Sequence, residues 1–364
     1  MEMLEALPDE LVLEIFSWLP ATAIQKFKSA SDFFHTISLE ETYFVHKQSH
    51  NASLKNDHCF FLQPKLCQRI LASSNGLIIG CGTKQSNQTE LFISNPSTQS
   101  WFPIPTPNCL KEYPYSEINI AFECNSKDFM LFLFEVPSEW SSLCYNLKFY
   151  SQEEDTWKTI EKSFFTGARR MIFDTHVFQN NVFHVISDCS PYLLKKSPYF
   201  RPYIMAYNIK DGESRMIRVP KEARRGSHDS SCRMGIYKWG KVTSLNGSIC
   251  LVRLRKSVFT VWVLTNYESC KWKRVIKIRV KAMGMTEEEP IDVKGFVVMN
   301  GDCLVFATRN KVYNCGLTHK SYMVVEEICE HGFDNDEVYF TSYSDTLRLP
   351  GDGATTLPLL QQIY

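Results

Sequence analysis

Residues 72–77 read Ala-Ser-Ser-Asn-Gly-Leu, and the Asn75-Gly76 pair within them is the first of five similar turns. Asn-Gly tolerates the left-handed backbone of a tight hairpin turn, and apolar runs on both sides supply the strands. The other four turns are Asn125-Ser126, Asn180-Asn181, Asn246-Gly247 and Asn300-Gly301, and successive turns lie 50 to 66 residues apart. This spacing predicts a repeated unit of several antiparallel strands.

A second marker follows each turn, where an aromatic residue or a methionine opens a further strand. These markers are Trp101, Trp157, Met216, Trp272 and Tyr322. Two markers that keep phase over five units indicate a true repeat, and a period of about 50 residues fits a kelch-like β-propeller. Cys59-Phe60-Phe61-Leu62 and residues 338–343 are expected to pair as a composite blade that closes the ring, which gives about six blades.

The N-terminal 44 residues have a helical pattern instead. Pro8 suits the start of a helix because its φ is preset and no amide donor is needed there. One side of this helix is apolar because large aliphatic residues recur every four positions, at Leu7, Leu11, Ile15 and Leu19. After Pro20, a second helix is expected to carry Ile24, Phe27, Ala30 and Phe34. Helices this short cannot bury all these groups among themselves, so another surface must cover some of them.

This N-terminal segment resembles the F-box over about 40 positions. The family's two Leu-Pro pairs are present as Leu7-Pro8-Asp9-Glu10-Leu11 and Leu19-Pro20. The resemblance implies docking on a Skp-type adaptor, itself joined to a cullin scaffold, through Leu7, Pro8, Leu11, Ile15, Leu19, Pro20, Ile24, Phe27, Ala30 and Phe34. Ala30, Asp32 and Phe34 depart from the usual Val, Lys and Trp. The missing carbons of Ala30 give up about 1–2 kcal/mol of burial at most, so the strength of the contact is left open.

The remainder of the chain resembles the F-box-associated domain common in plant F-box proteins. The resemblance is carried by Ala72-Ser73-Ser74-Asn75-Gly76-Leu77, by the run from Ser94 to Trp101, by Thr156-Trp157-Lys158, and by Val261-Trp262-Val263-Leu264 before Trp272. It implies an α+β protein built from modules: a helical F-box at residues 1–44, a helical or extended linker at 45–58, and a mainly antiparallel β-propeller of about six blades at 59–364.

Composition excludes several other classes of function. The 364 residues contain 40 Lys and Arg against 40 Asp and Glu, so no general nucleic-acid or membrane surface is expected. No apolar stretch is long enough for a membrane helix, and the acidic N-terminus lacks a signal peptide's basic region, so the cytoplasm or nucleus is expected. The 13 cysteines include no Cys-x-x-Cys pair, and no phosphate-binding loop or nucleophile elbow occurs. We therefore expect no metal, no cofactor and no enzymatic activity in the chain itself.

Two basic segments are candidates for contact with a protein client. In Lys277-Ile278-Arg279-Val280-Lys281 the charges alternate with apolar residues, which is typical of an outer strand with a solvated face. The alternative is a basic strip that recognises an acidic or phosphorylated client. The segment Arg224-Arg225-Gly226-Ser227-His228 lies in the longest gap between turns and is expected to form an extended loop, with Arg224, Arg225 and His228 as client contacts.

The resemblance implies a substrate-recognition subunit of an SCF-type ubiquitin ligase. In this hypothesis the adaptor binds the helices, and the propeller holds an unknown client for ubiquitination and degradation. The alternative is a non-enzymatic propeller recognition module, possibly lectin-like, that binds the adaptor without delivering clients.

Overall fold

The computed structural model describes residues 8–28, 42–54, 58–65, 70–83, 89–107, 110, 118–124, 128–135, 144–190, 194–226, 231–240, 248–285, 287, 291–317, 325–333, 336–351 and 355–356. Its N-terminal helices are α1 (Asp9–Phe16), α2 (Ala21–Lys28) and α3 (Thr42–Leu54). Helix α1 begins directly after Pro8 and α2 directly after Pro20, as the two prolines indicate. Helix α3 runs across the predicted boundary at residue 44 and through most of the predicted linker.

Antiparallel strands form the rest of the molecule. An initial strand, β1 (His58–Pro64), is followed by blade 1, which contains β2 (Ile70–Ser74), β3 (Leu77–Thr83), β4 (Thr89–Asn95) and β5 (Ser100–Ile104). Blade 2 contains β6 (Ile120–Cys124), β7 (Phe129–Glu135), β8 (Cys144–Ser151) and β9 (Thr156–Phe165). Blade 3 contains β10 (Met171–Gln179), β11 (Val182–Ser187), β12 (Tyr203–Asn208) and β13 (Ser214–Arg218).

The chain then enters a short helix, α4 (Lys221–Arg224), before the last two blades. Blade 4 contains β14 (Arg233–Trp239), β15 (Ser248–Arg255), β16 (Val258–Asn266) and β17 (Lys271–Arg279), followed by a 3₁₀ turn at Val280–Met283. Blade 5 contains β18 (Gly295–Met299), β19 (Cys303–Ala307), β20 (Lys311–Gly316) and β21 (Val325–Glu330). Strand β22 (Val338–Ser344) pairs with β1, and β23 (Thr355–Thr356) extends blade 1 beyond β5.

The prediction of about six blades is wrong, because five sheets of the described chain have four or more strands. The two segments expected to form a sixth, composite blade do pair with each other, with Cys59 opposite Tyr343. They form a sheet of two strands only, in which β22 lies between β2 and β18. Among the described residues no further strand joins this sheet, because α3 precedes β1 and residues 345–348 leave the sheet to contact the helices.

The repeat markers have clear structural roles. Both central residues have positive φ in the three predicted turns that lie within the described residues, Asn75-Gly76, Asn180-Asn181 and Asn300-Gly301. Trp101, Trp157, Met216 and Trp272 lie in the fourth strand of their blades, and Tyr322 lies outside the described residues. The indole N–H of Trp157 donates to the Pro105 carbonyl at 2.5 Å, and that of Trp272 donates to the Arg218 carbonyl at 2.9 Å. These two tryptophans therefore tie their blades to the preceding ones.

The hydrophobic core is divided among the interfaces between neighbouring sheets. Separate clusters join blades 1 and 2, 2 and 3, 3 and 4, and 4 and 5, and another joins blade 5 to the β1–β22 sheet. Such division is expected of a propeller, since a single blade cannot bury its own two faces. In the described part of the chain, no helix combines the length and the apolar character that crossing a membrane requires.

Candidate functional sites

One side of the helical module packs against the propeller. Val12, Phe16 and Ile24 are buried together with Phe44 of α3 and Leu347, which follows β22. Leu347 thus places a side chain from the far end of the sequence within the helical core. This arrangement uses one apolar side of α1 and α2 to attach the module.

The other side of α1 leaves three large apolar residues in solvent. Leu11 is 50% exposed, Ile15 is 52% exposed and Trp18 is 40% exposed. Their spacing of four and three residues places them on one face of α1 and its C-terminal turn, and we call them the apolar stripe. On α2, Phe27 is 44% exposed and its ring meets that of Phe16 edge to face, with centroids 5.4 Å apart. Exposed apolar residues in such a row are typical of a protein-binding surface.

The predicted adaptor contacts differ in how far the structure exposes them to solvent. Leu11, Ile15 and Phe27 are exposed, Leu19 is partly buried, and Pro8 and Pro20 are exposed at the helix starts. Ile24 is 1% exposed and faces the helical core, so it cannot touch a partner directly. Leu7, Ala30 and Phe34 lie outside the described residues. Trp18 was not among the predicted contacts, although its position three residues after Ile15 could have indicated it.

An ion pair flanks the apolar stripe. Lys47 of α3 contacts the carboxylate of Glu14, which also accepts a hydrogen bond from the Trp18 indole at 3.1 Å. The hydrogen bond from Lys47, and secondarily that from Trp18, hold the pKa of Glu14 below its usual value. Both contacts restrain the Trp18 side chain while its ring stays partly in solvent.

Polar contacts fix the orientation of the helices on the propeller. Asp345 accepts hydrogen bonds from the amide and hydroxyl of Thr22 at 3.2 and 2.7 Å, so its carboxylate caps the positive end of α2. The buried Gln48 side chain donates to the carbonyls of Leu19 and Asp345 and accepts from the Leu347 amide at 2.9 Å. Each of these hydrogen bonds therefore joins α3 to another segment of the chain.

The same C-terminal segment is fixed to blade 1. The buried side chain of Asn95 donates to the carbonyls of Thr346 and Arg348, both at 2.7 Å, and accepts from the Tyr343 hydroxyl at 2.8 Å. We call residues 343–348 the bracket, because they join the blade 1 turn that follows Asn95 to the helices. The predicted linker alone therefore does not set the angle between helices and propeller.

A cavity of about 460 Å³ on blade 4 is surrounded by positive charge. It is lined by six basic residues, Arg253, Arg255, Lys256, Lys277, Arg279 and Lys281, together with Ser257, Val258, Val280 and Ile291. We call it the basic cavity. The sequence indicated Lys277, Arg279 and Lys281, but it did not indicate the three basic residues from β15 and its following turn. A signal was available, since Lys256-Ser257 separates two apolar runs as a two-residue hairpin turn does.

The second predicted basic segment lies beside this cavity. Arg224 ends α4 and Arg225 follows it, so this part of the predicted extended loop is a short helix, whereas His228 lies outside the described residues. Gly226 has φ +67, and a Cβ there would lie 2.3 Å from the guanidinium carbon of Arg255. The segment is thus packed directly against one of the lining residues.

Arg253 joins α4 to blade 4. Its guanidinium donates to the carbonyls of Glu222, Ala223 and Arg225 at 2.7, 3.1 and 3.3 Å, which satisfies the C-terminal end of this helix. The Glu222 carboxylate binds Lys277 at 2.9 Å and Arg274 at 2.7 Å, and these contacts, led by the Lys277 hydrogen bond, lower its pKa. Glu222 therefore offsets part of the charge near the cavity, although no acidic side chain is among those lining residues that the structure describes.

A different cavity, of about 470 Å³, lies where the first strands of the blades meet. Its lining includes Glu123 of β6 and Lys238 of β14, whose charged atoms lie 3.2 Å apart, and His50 of α3. This pairing neutralises the charges of Glu123 and Lys238, and the lining also includes Asp174. Within the described ranges, no group of three or more His, Cys, Asp or Glu side chains is placed to hold a metal ion.

Together these features define a β-propeller that carries an attached helical module with an exposed apolar stripe. Residues 26–325 match the F-box associated beta propeller domain family. The F-box protein At5g49610 of Arabidopsis thaliana is 22% identical over 351 residues, covering 84% of this chain and 89% of that protein. The chain belongs to the F-box-associated β-propeller family.

Similar solved structures come from functionally diverse proteins. The fucose-specific lectin from Aleuria aurantia is 7% identical with a TM-score of 0.41, over 76% of this chain and 80% of the lectin. The Pyrococcus horikoshii acylaminoacyl peptidase is 12% identical with a TM-score of 0.36, over 70% of this chain but 37% of the peptidase. At such low scores these structures carry no information about activity.

Proposed function

We propose that this protein is the substrate-recognition subunit of an SCF-type ubiquitin ligase. The observation that carries the proposal is the apolar stripe, which stays in solvent while the opposite side of the same helices is fixed to a propeller of the F-box-associated family. A Skp-type adaptor is the partner, and it joins the subunit to a cullin scaffold. We further propose that the protein acts in the cytoplasm or nucleus, as its sequence composition predicts.

The adaptor contact is mainly hydrophobic. Leu11, Ile15, Trp18 and Phe27 each have 40–52% of their surface left to bury, which contributes about 1 kcal/mol per side chain. A tryptophan in the row is a favourable anchor, since interface energy concentrates on large aromatic residues. The Lys47–Glu14 pair at the edge of the stripe supplies a polar rim.

Ubiquitination then depends on proximity, and the chain itself is not an enzyme. A client held by the propeller is kept near a conjugating enzyme carried by the same complex, which raises the effective concentration of the reacting groups. The bracket supports this role, because buried hydrogen bonds of Asn95 and Gln48 hold the helices at one angle to the propeller.

Adaptor binding by the full-length protein tests the proposal. The variant Leu11→Asp with Ile15→Asp places two charges in the stripe, and we expect it to lower affinity for a purified Skp-type adaptor at least 100-fold in titration calorimetry. Leu194→Asp is the matched control, since Leu194 is 66% exposed on the propeller between β11 and β12. This control should bind as the wild type does.

The ligase hypothesis fails if the wild-type protein binds neither the adaptor nor the adaptor–cullin complex. Quantitative proteomics in cells that express the Leu11→Asp, Ile15→Asp variant provides the second readout. Proteins that bind the propeller should accumulate in those cells. If the adaptor and cullin bind but no client accumulates, the chain is a recognition module that does not deliver clients.

A further inference from the structure

The basic cavity gathers charge from separate parts of blade 4. Arg253 and Arg255 come from β15, Lys256 from the following turn, and the remaining basic residues from β17 and the 3₁₀ turn, namely Lys277, Arg279 and Lys281. The whole chain has no net charge, so this concentration is local. Like charges repel one another, and a cluster whose described lining contains no acidic residue is stabilised when an anion binds.

The position of the basic residues argues for a binding role. Lysines on an outer strand such as β17 can simply prevent edge-to-edge association. That explanation does not cover Arg253, which lies on the interior strand β15 and is only 7% exposed. Its Nη1 donates to carbonyls at the end of α4, and its guanidinium carbon lies 5.4 Å from the centroid of the Trp262 ring. These contacts hold a positive charge in the wall of the cavity, away from bulk solvent, where it attracts an anion more strongly than a solvated lysine does.

The shape and surroundings of the cavity favour a phosphate group on a peptide. A phosphate ester carries about −1.5 to −2 charge and three acceptor oxygens, which suits converging guanidinium and ammonium groups. Nucleic acid is a less suitable ligand, because the chain as a whole carries no net positive charge. In the described chain β17 pairs only with β16, so its outer edge is open to an extended peptide beside Lys277 and Arg279.

The cavity lies on the face of the propeller away from the helices. The helices and the bracket meet blade 1 at the β4–β5 turn, where Gln25 contacts Ser97, and at the β2–β3 turn, where Thr346 contacts Asn75. The basic cavity is at the β15–β16 turn, Lys256-Ser257. In an antiparallel four-strand blade, the turn between the second and third strands lies at the end opposite the other two turns. Both faces can therefore be occupied at once.

We propose that the basic cavity binds a phosphorylated serine or threonine of a client segment that runs along the outer edge of β17. The assignment of this segment to a client rests on the proposed ligase function, but the binding itself does not. Arg255, Lys256, Arg279 and Lys281 contact the phosphate, and Arg253 adds positive charge from the cavity wall. Arg224 and Arg225 lie at its border and contact residues next to the phosphate.

Peptide binding to the full-length protein tests this assignment. The probes are peptides with a central phosphoserine or phosphothreonine and degenerate flanks, with the unphosphorylated pools as reference, in fluorescence anisotropy. We expect the phosphorylated pools to bind at least 10-fold more tightly. Arg279→Glu with Lys281→Glu should abolish this preference, and the neutral pair Arg279→Gln with Lys281→Gln should weaken it.

The matched control is Lys195→Glu with Lys196→Glu, which changes the charge equally. Both lysines are exposed between β11 and β12, at the same end of the blades as the cavity, and neither lines it. This variant should keep the phosphopeptide preference. Equal binding of phosphorylated and unphosphorylated pools, or an equal loss in the control, overturns the proposal. Binding to phosphoinositide vesicles without any peptide preference would overturn it in favour of a lipid surface.

Adaptor titrations with the same variants separate the two proposals. Arg279→Glu with Lys281→Glu should bind the Skp-type adaptor as the wild type does, because the apolar stripe is unchanged. Failure of phosphopeptide binding with intact adaptor binding rejects the phosphopeptide site and leaves the ligase function in place. Failure of adaptor binding with intact phosphopeptide binding rejects the ligase function and leaves the cavity as a phosphopeptide site.

Discussion

Two large apolar residues of the N-terminal helical module differ in what they contribute, one to partner binding and the other to the fold. Trp18 and Ile24 are both large and apolar, and both lie in the segment that resembles an adaptor-binding motif. The structure leaves Trp18 40% exposed and buries Ile24 to 1%. An exposed residue contributes to affinity when a partner covers it, whereas a buried residue contributes to the fold that presents the surface.

Single substitutions should distinguish the contribution to adaptor binding from the contribution to stability. We expect Trp18→Ala to weaken adaptor binding at least 10-fold in calorimetry while the helices keep their stability, because a large interface anchor is lost. Ile24→Ala should lower the stability of the helical module by about 2–4 kcal/mol, because it leaves a cavity in the core. Hydrogen exchange of the α2 amides measures this stability. Unchanged adaptor affinity in Trp18→Ala would contradict the assignment of the stripe.

At the scale of an element, the β15–β16 hairpin differs in its turn residues from the hairpins that the sequence predicted. Its central residues are Lys256 and Ser257, with φ of 50° and 55°, where Asn or Gly is the usual choice for a left-handed backbone. Such a backbone is unfavourable for both side chains. The turn nevertheless places Lys256 at the rim of the basic cavity.

We therefore expect stability and binding to change in opposite directions in this hairpin. Lys256→Asn with Ser257→Gly should raise the free energy of unfolding by about 1 kcal/mol in urea titrations, because the backbone strain is removed. The same variant should bind phosphopeptides less tightly, since a cationic group is lost. Ser257→Gly alone keeps Lys256 and should stabilise the turn without a loss of affinity. A loss of affinity in both variants would implicate the backbone of the turn instead.

Across the whole molecule, the bracket connects the last strand to the first helices. Leu347 is 3% exposed in the helical core, and its amide is held by Gln48. Asn95 holds the segment to blade 1. This connection fixes the distance between the apolar stripe and the basic cavity on the other face. In the proposed ligase, the bracket therefore determines where a bound client lies relative to the adaptor.

Removal of the Leu347 side chain should loosen the helices selectively. We expect Leu347→Ala to destabilise the helical module by about 2–4 kcal/mol, seen as at least 10-fold faster amide exchange in α1 and α2. Exchange in propeller strands such as β7 and β11 should not change. Leu349→Ala, at a residue that is 57% exposed, is the matched control and should have no effect. Equal acceleration in the propeller would show that the two parts unfold together.

The local pattern of the sequence was sufficient for the repeated β architecture and for the starts of α1 and α2. Asn75-Gly76 and Asn300-Gly301 predicted hairpin turns because their backbone preference is intrinsic to those residue pairs. Trp157 and Trp272 marked the fourth strands of their blades in the sequence. Both tryptophans have the same role in the structure, since each indole N–H donates to a carbonyl of the preceding blade. The blade number was not determined in this way, since a pairing between β1 and β22 does not reveal how many strands accompany it.

Tertiary structure alone decided which apolar and basic residues are available to partners. Helical periodicity places Leu11 and Val12 on adjacent faces, but the bracket and α3 decide that Val12 is covered and Leu11 is not. Likewise, Arg253 and Arg279 are far apart in the chain and meet only because β15 and β17 flank the same strand of blade 4. Burial and charge clustering depend on contacts between distant segments of the chain. For this reason the sequence by itself determined the repeat and the N-terminal helices, whereas only the folded chain determined the apolar stripe and the basic cavity.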